Sequence, residues 1–174
     1  MFDKLIEFLF EIIEKVLPVF VIKQYQQGVL LRGGKYKKDV YPGLHLKIPF
    51  LDDVDVYPVV TTTLDLPAQS IVTKDGIAVV IKTIVKYKVN NIKVFGIEVG
   101  DAIDALSDMT RGINFNTIHR RTWLETCEQD IEKIITKEAK KESKQWGIEV
   151  EKVTISDYSK MNSLRLFNEQ SPLT

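Results

Sequence analysis

Apolar positions recur along this chain at two periods, and the changes between them outline a fold. At the N-terminus Phe2, Leu5, Leu9, Ile12 and Val16 follow intervals of three and four, with Ile6, Ile13 and Phe20 beside them. Asp3, Lys4, Glu7, Glu11, Glu14 and Lys15 fall on the other side, so the stretch predicts an amphipathic helix with a wide apolar stripe. The period then shortens to two. Residues 29–31 form a short strand, and Gly33-Gly34 a turn, because paired glycines accept positive φ. Pro42-Gly43 is a second turn. Leu44, Leu46 and Ile48 alternate with His45 and Lys47, which predicts a half-buried strand with the leucines inside and His45 in solvent, ended by Pro49. A further strand runs through Val54, Val56 and Val59, broken by Pro58.

Residues 61–66 and 69–72 read as β, and Thr73-Lys-Asp-Gly76 as a turn. The next stretch, 77–89, is a long strand. Ile77, Val79, Ile81, Thr83, Val85, Tyr87 and Val89 share its buried face, and Lys82, Lys86 and Lys88 guard the other. Residues 94–99 fit neither period cleanly. Asp101 caps a helix carrying Ile103, Leu106, Met109 and Ile113. Thr122 and Glu125 form a capping box for a second helix, with Leu124, Cys127, Ile131, Ile134, Ile135 and Ala139 on its apolar face. Lysines crowd its C-terminal turn, and Gly147 follows in the position that ends helices in the left-handed region. Residues 148–155 are a final strand. The pattern as a whole predicts an α+β fold: an antiparallel, β-rich domain with two packed helices, preceded by an amphipathic N-terminal helix.

The N-terminal helix does not suit a simple membrane crossing. Its charge-free run is only residues 16–22, with Pro18 inside, whereas a span needs about 20 mostly apolar residues. Glu7, Glu11 and Glu14 would each cost a few kcal/mol (about 3) at depth. Two readings stand. In one, the helix lies in the membrane interface, burying Phe2, Leu5, Ile6, Leu9, Phe10, Ile12, Ile13, Val16, Leu17, Val19, Phe20 and Ile22. In the other, the stripe is core or the seam of a helical oligomer. The phenylalanines, with Phe8, widen the stripe beyond a narrow seam. The following segment carries Lys23, Arg32, Lys35, Lys37, Lys38 and Lys47 against Asp39, a basic patch suited to anionic headgroups. Lys23, Lys35, Lys37 and Lys38 are the expected headgroup contacts.

Length and composition limit the chemistry. The chain has 174 residues, enough for one domain with an appendage, and a formal net charge of zero, so no nucleic-acid partner is expected. Its one cysteine, Cys127, falls on the apolar phase of its helix and reads as core. The N-terminus lacks the basic start and cleavage site of a signal peptide. Gly28 to Tyr36 superficially resembles a phosphate loop, but the spacing is one residue too long and Tyr36 stands where Ser or Thr would hold Mg²⁺. His45 and His119 have no third ligand at motif spacing. The cluster Asp52, Asp53 and Asp55 has no calcium-loop pattern around it. No cofactor, metal or catalytic role is expected.

Several of these residues, in order, carry a resemblance. Gly28-Val29, Gly34-Lys35, Pro42-Gly-Leu-His45 and Ile48-Pro-Phe50 resemble the opening of the SPFH, or band 7, domain of stomatins, prohibitins and flotillins. Thr73-Lys-Asp-Gly76 with its long valine-rich strand, Thr110-Arg-Gly-Ile113 and Trp146-Gly-Ile148 resemble its later motifs, so the likeness runs over about residues 20–160. Asn114, where the family often has glycine, and Cys127-Glu-Gln129, where it often has arginine, are departures. The resemblance divides the chain into a membrane-associating segment at 1–22, an SPFH domain at 23–160 and a tail at 161–174 without the heptads of the family's coiled coil. It implies a non-enzymatic, membrane-associated scaffold, and the basic patch points to the cytoplasmic face. Such a scaffold would form homo-oligomers, organise a patch of lipid bilayer and regulate a membrane protein partner. The alternative is a soluble oligomeric adaptor whose N-terminal helix docks on a protein.

Overall fold

A computed structural model of the chain describes residues 6–7 and 19–161. Most of the N-terminal helix expected over residues 2–20, and the tail from 162 onward, lie outside those residues; Ile6 and Glu7 are helical, whereas Val19 and Phe20, expected in the helix, belong to a strand.

Two antiparallel β assemblies follow one another along the chain. In the first, β1 (Val19–Ile22) pairs with β4 (Gly43–Leu46) as a two-stranded ribbon. Next to it, β2 (Gln26–Arg32) lies between β3 (Lys35–Val40) and β5 (Asp52–Pro58). Gly33 and Gly34 turn β2 into β3 at φ of 56° and 73°, as their pairing requires. In the second assembly β8 (Ala78–Val89) is the central strand. It pairs with β6 (Thr62–Asp65) and β7 (Gln69–Val72) on one side and with β9 (Ile148–Lys160) on the other. Val79, Ile81, Thr83, Val85, Tyr87 and Val89 are buried on one face of β8, as their alternation predicts. Its lysines meet acids across the strands: Lys82 with Asp65, Lys86 with Glu151 and Lys88 with Glu149.

Helices cover the buried face. Asp101 caps α1 (Ala102–His119) by accepting from the amides of Ile103 and Asp104. Thr122 and Glu125 form the capping box of α2 (Trp123–Glu128). The expected single second helix is here two. Gln129 is extended, and the Asp130 carboxylate accepts from the Lys133 amide to begin α3 (Ile131–Glu142) afresh. The break changes which residues face inward. Thr126 is buried and accepts from the Tyr158 hydroxyl at 2.8 Å, whereas Leu124 and Cys127, both expected in the core, are exposed. Leu106, Ile113, Ile135 and Ala139 from α1 and α3 close on Val85, Tyr87, Val150 and Val153 of the sheet.

The free edge of β9 is sealed by side chains of α3. Thr136 Oγ1 accepts from the Val153 amide at 3.0 Å and donates to the Val153 carbonyl at 3.2 Å. Glu132 accepts from the Ile155 amide at 2.8 Å. Polar groups that would otherwise template another strand are thereby occupied.

A cluster of Val29, Val89 and Ile92, with Leu31, Tyr57, Val59 and Phe95, joins the two assemblies. The ambiguous stretch after β8 becomes a π-turn over Val94–Glu98, and Gly96 lies where a Cβ would approach the Tyr57 ring to 2.5 Å. A second close approach fixes the end of α3. After a 3₁₀ turn (Ser143–Trp146), Gly147 sits at φ 70° with its Cα against the Asn91 carbonyl, and an added Cβ would come within 2.3 Å of that oxygen. Gly147→Ala is expected to destabilise the domain by about 2 kcal/mol or more, read as a lower denaturant midpoint at unchanged slope. An unchanged midpoint would contradict the close approach.

Candidate membrane-facing site

The β1–β4 ribbon has two unlike faces. Phe20 and Ile22 point inward, onto Leu30, Val40 and Val54 of the neighbouring sheet. Strand pairing places His45 opposite Phe20 and Gly43 opposite Ile22 on that same face. The His45 ring lies 5.5 Å from the Phe20 ring, and its Nε2–H donates to the Tyr41 carbonyl at 2.6 Å. The other face carries Val19 opposite Leu46 and Val21 opposite Leu44. All four are exposed, Leu44 and Leu46 at 71% and 73%.

This reverses the expected phase of β4. Alternation along a strand shows that the leucines share a face but not which face is inside. Phe20 and Ile22 pack on Leu30, Val40 and Val54, so His45, paired with Phe20, faces in with them and the leucines face out. Phe20 and Ile22, expected among the lipid contacts, belong to the core instead. Val19 is exposed, as is Ile6. Phe2, Leu5, Leu9, Phe10, Ile12, Ile13, Val16 and Leu17 lie outside the described residues.

The apolar face continues into the loop after β4, where Ile48, Phe50 and Leu51 are exposed, Phe50 at 99%. Phe50 is the one non-glycine described residue at positive φ, 66°. A left-handed conformation strains a residue with a Cβ, and strain held in an exposed aromatic points to use rather than packing. The loop is closed from both ends. Asp52, its side chain fully buried, takes a two-pronged pair of hydrogen bonds from Arg32 at 2.7 and 2.9 Å and a third from the Ile48 amide at 2.8 Å. The Leu51 carbonyl accepts from the Gly33 amide at 2.8 Å. Asp52 is therefore a clamp for the loop rather than part of a cation site, and among the described residues no cluster of His, Cys, Asp and Glu could hold a metal.

Cations and tyrosines rim the apolar face. Lys35 and Lys38 stand opposite Arg32 and Leu30, on the side of the sheet that the ribbon covers, and Lys37 sits at the register slip of that pairing. Lys23, Lys35, Lys37 and Lys38 are all exposed, with Lys23 Nζ 5.8 Å from the centre of the Tyr25 ring. Tyr25 and Tyr41 are exposed near the same end of the ribbon. Aliphatic side chains ringed by lysine and tyrosine match the layering of a bilayer interface. No described helix is long and apolar enough to cross a membrane. The sequence signal for the loop was the apolar run Ile48-Pro-Phe-Leu51, which continues past the strand-ending proline.

The geometry defines a class first: a two-part antiparallel α+β domain that exposes an apolar ribbon and loop. A sequence model of the SPFH domain / Band 7 family matches residues 20–160, and the chain belongs to that family. Among its relatives, protein HflC of Buchnera aphidicola is 38% identical over 79 residues, 41% of this chain and 24% of that protein. An uncharacterised protein of Archaeoglobus fulgidus is 29% identical over 150 residues, 84% of this chain and 60% of the relative. The modulator of FtsH protease HflC of Escherichia coli is 34% identical over 82 residues, 43% of this chain and 25% of that protein. The chain thus spans between a quarter and three-fifths of the length of these relatives.

Arg32 and the Ile48 amide hold the Asp52 pKa down to about 2. Because the folded value lies below the unfolded one, the clamp's stabilisation is complete above the ordinary carboxylate pKa of about 4 and is lost as pH falls through it toward 2. Unfolding of Asp52→Asn should therefore lose less stability than the parent chain over that interval, and parallel pH profiles would contradict the clamp. Phe50→Gly is expected to leave the unfolding free energy unchanged or raise it by about 1 kcal/mol, since glycine accepts the left-handed backbone. A clear loss of stability would mean Phe50 packs in solution.

Proposed function

We propose that the chain is a non-enzymatic, membrane-associated SPFH scaffold that seats the β1–β4 ribbon and the 47–51 loop in the headgroup region of a bilayer. The outward face of Val19, Val21, Leu44 and Leu46, continued by Phe50, carries the reading. In water these side chains lose the stabilisation that burial would give, roughly 1.5–3 kcal/mol for each large one. The lysine rim suits an anionic leaflet such as the cytoplasmic one. The amphipathic segment expected at 1–22 leads directly into this ribbon, its last four residues being β1 itself. A relative named as a modulator of FtsH protease supports a role in regulating a protein partner, which the family likeness implies is a membrane protein, and family membership supports self-assembly.

Flotation with vesicles containing anionic lipid tests this, and the cut must fall after residue 18, because removing residues 1–22 would delete β1 and its core residue Ile22. Leu44→Glu is expected to lower vesicle partitioning about tenfold, and Leu44→Glu with Leu46→Glu further, with thermal unfolding unchanged because both sites are exposed. Deletion of residues 1–18 should weaken flotation without abolishing it. Undiminished flotation of the double variant would remove the ribbon from the membrane. If the intact chain does not float, the N-terminal segment is a protein-docking helix and the adaptor reading replaces this one.

A further inference from the structure

A second charged surface lies on the helical half of the domain, away from the ribbon. A trough of about 950 Å³ runs between α3 and the start of β9, and Lys137, Lys140, Lys141 and Lys144 line it. A second hollow of about 470 Å³ shares Lys137 and Lys140 and so lies beside it. The carboxylates along this surface are occupied by other cations: Glu149 by Lys88, Glu151 by Lys86, Glu132 by Lys152 and Asp130 by Lys133. Glu138 turns to the opposite side of α3, into a hollow with Arg120 and Arg121. None of the four trough lysines has an ion-pair partner among the described residues. Lys137 and Lys141 are a like-charge pair one helical turn apart, an arrangement that repels unless an anion is supplied from outside.

The complementary surface is on α1. Asp101, Asp104 and Asp108 are exposed at spacings of three and four along its first two turns. Asp104 and Asp108 repel in the same way. Among the described residues only Arg111 approaches within ion-pair distance, at 3.9 Å from Asp108. Seven residues of helix span about 10 Å, and both the aspartate stripe and the lysine row from 137 to 144 cover seven residue steps. Across the helical layer α1 contacts β7 and α3, and α3 contacts α1 and β9, so the trough lies at the β9 margin. Among the described residues no ion pair joins stripe and trough.

We infer that the α3–β9 trough of one copy receives the Asp101–Asp104–Asp108 stripe of a second copy. The contact is head-to-tail, because stripe and trough are different surfaces. Repeated, it closes into a ring or continues as a filament, and it leaves each copy's apolar ribbon free. The inference rests on the reading of the chain as a self-assembling scaffold and supplies the surfaces that would do it.

Sedimentation velocity of the full chain at about 0.05 M and about 0.5 M salt tests it, since exposed charge pairs are screened over that range. The parent chain should form oligomers that shrink at high salt. Lys140→Glu with Lys144→Glu, and separately Asp104→Lys with Asp108→Lys, should each weaken self-association at least tenfold, with unchanged thermal unfolding. An equimolar mixture of the two variants should regain the parent's oligomers, because the intact stripe of one meets the intact trough of the other and the reversed stripe and reversed trough are again opposite in charge. A parent chain that stays monomeric, a variant that keeps its oligomers, or a mixture that fails to regain them would each overturn the inference. If only the lysine variant loses assembly, the stripe is not the occupant and the inference fails as well. Vesicle flotation of both variants should match the parent, so a failed membrane reading shows separately as flotation lost or never present.

Discussion

The exposed face of this domain depends on one strand pairing. β1 and β4 are four residues each, and within β1 only Phe20 and Ile22 reach the Leu30, Val40 and Val54 cluster. Once they occupy the inner face, the register leaves no choice for the partner strand. His45 and Gly43 must share that face, and Leu44 and Leu46 must share the other with Val19 and Val21. A slip of one residue would bury the leucines and expose the histidine. Because Ile22 is already 2% exposed and Gly28 would meet its Cδ1 at 3.2 Å with any added Cβ, the inner face has little room for another arrangement.

The loop beyond β4 extends this logic from packing to electrostatics. A buried carboxylate is stable only when its oxygens are satisfied, and Asp52 meets that condition by drawing Arg32 and the Ile48 amide to itself. The residues between must then close a tight turn, and Phe50 takes the left-handed backbone that the turn demands. Its side chain is left in solvent. The Val29, Val89 and Ile92 cluster with the Tyr57–Phe95 contact ties this half to the helical half. An exposed apolar surface at one place and a charged surface on α1, α3 and β9 at another are therefore held by a single packed body.

Much of the fold is legible in the residues themselves. The long strand β8 announces its buried face by apolar residues or threonine at every second position, and its lysines mark the other despite Val80 and Ile84 there. The caps at Asp101 and Thr122 and the glycine turn at 33–34 follow from local chemistry that tertiary contacts do not override. Two features were not legible for the same reason. The phase of β4 and the break between α2 and α3 both depend on a partner element rather than on the local period. Ile131 continues the apolar repeat begun at Leu124, so nothing in the repeat reveals that Asp130 restarts the helix and turns Cys127 outward. Of the candidate site, the exposure of the lysines could be read directly. The exposure of Val21, Leu44, Leu46 and Phe50 could not, because hydrophobicity alone does not distinguish a side chain of the core from one left at the surface.

The central claim, that the ribbon and its loop enter the bilayer, is tested most directly by measuring depth at single positions. A spin label on Phe50→Cys, or on Leu44→Cys, in a Cys127→Ser background would be compared between solution and anionic vesicles, with a label on Lys140→Cys as the aqueous control. On vesicles the labels at 50 and 44 should become accessible to oxygen and shielded from a water-soluble relaxant, while the label at 140 stays in water. If the labels at 50 and 44 remain as accessible to the water-soluble relaxant on vesicles as in solution, the apolar face meets something other than lipid and the account is wrong.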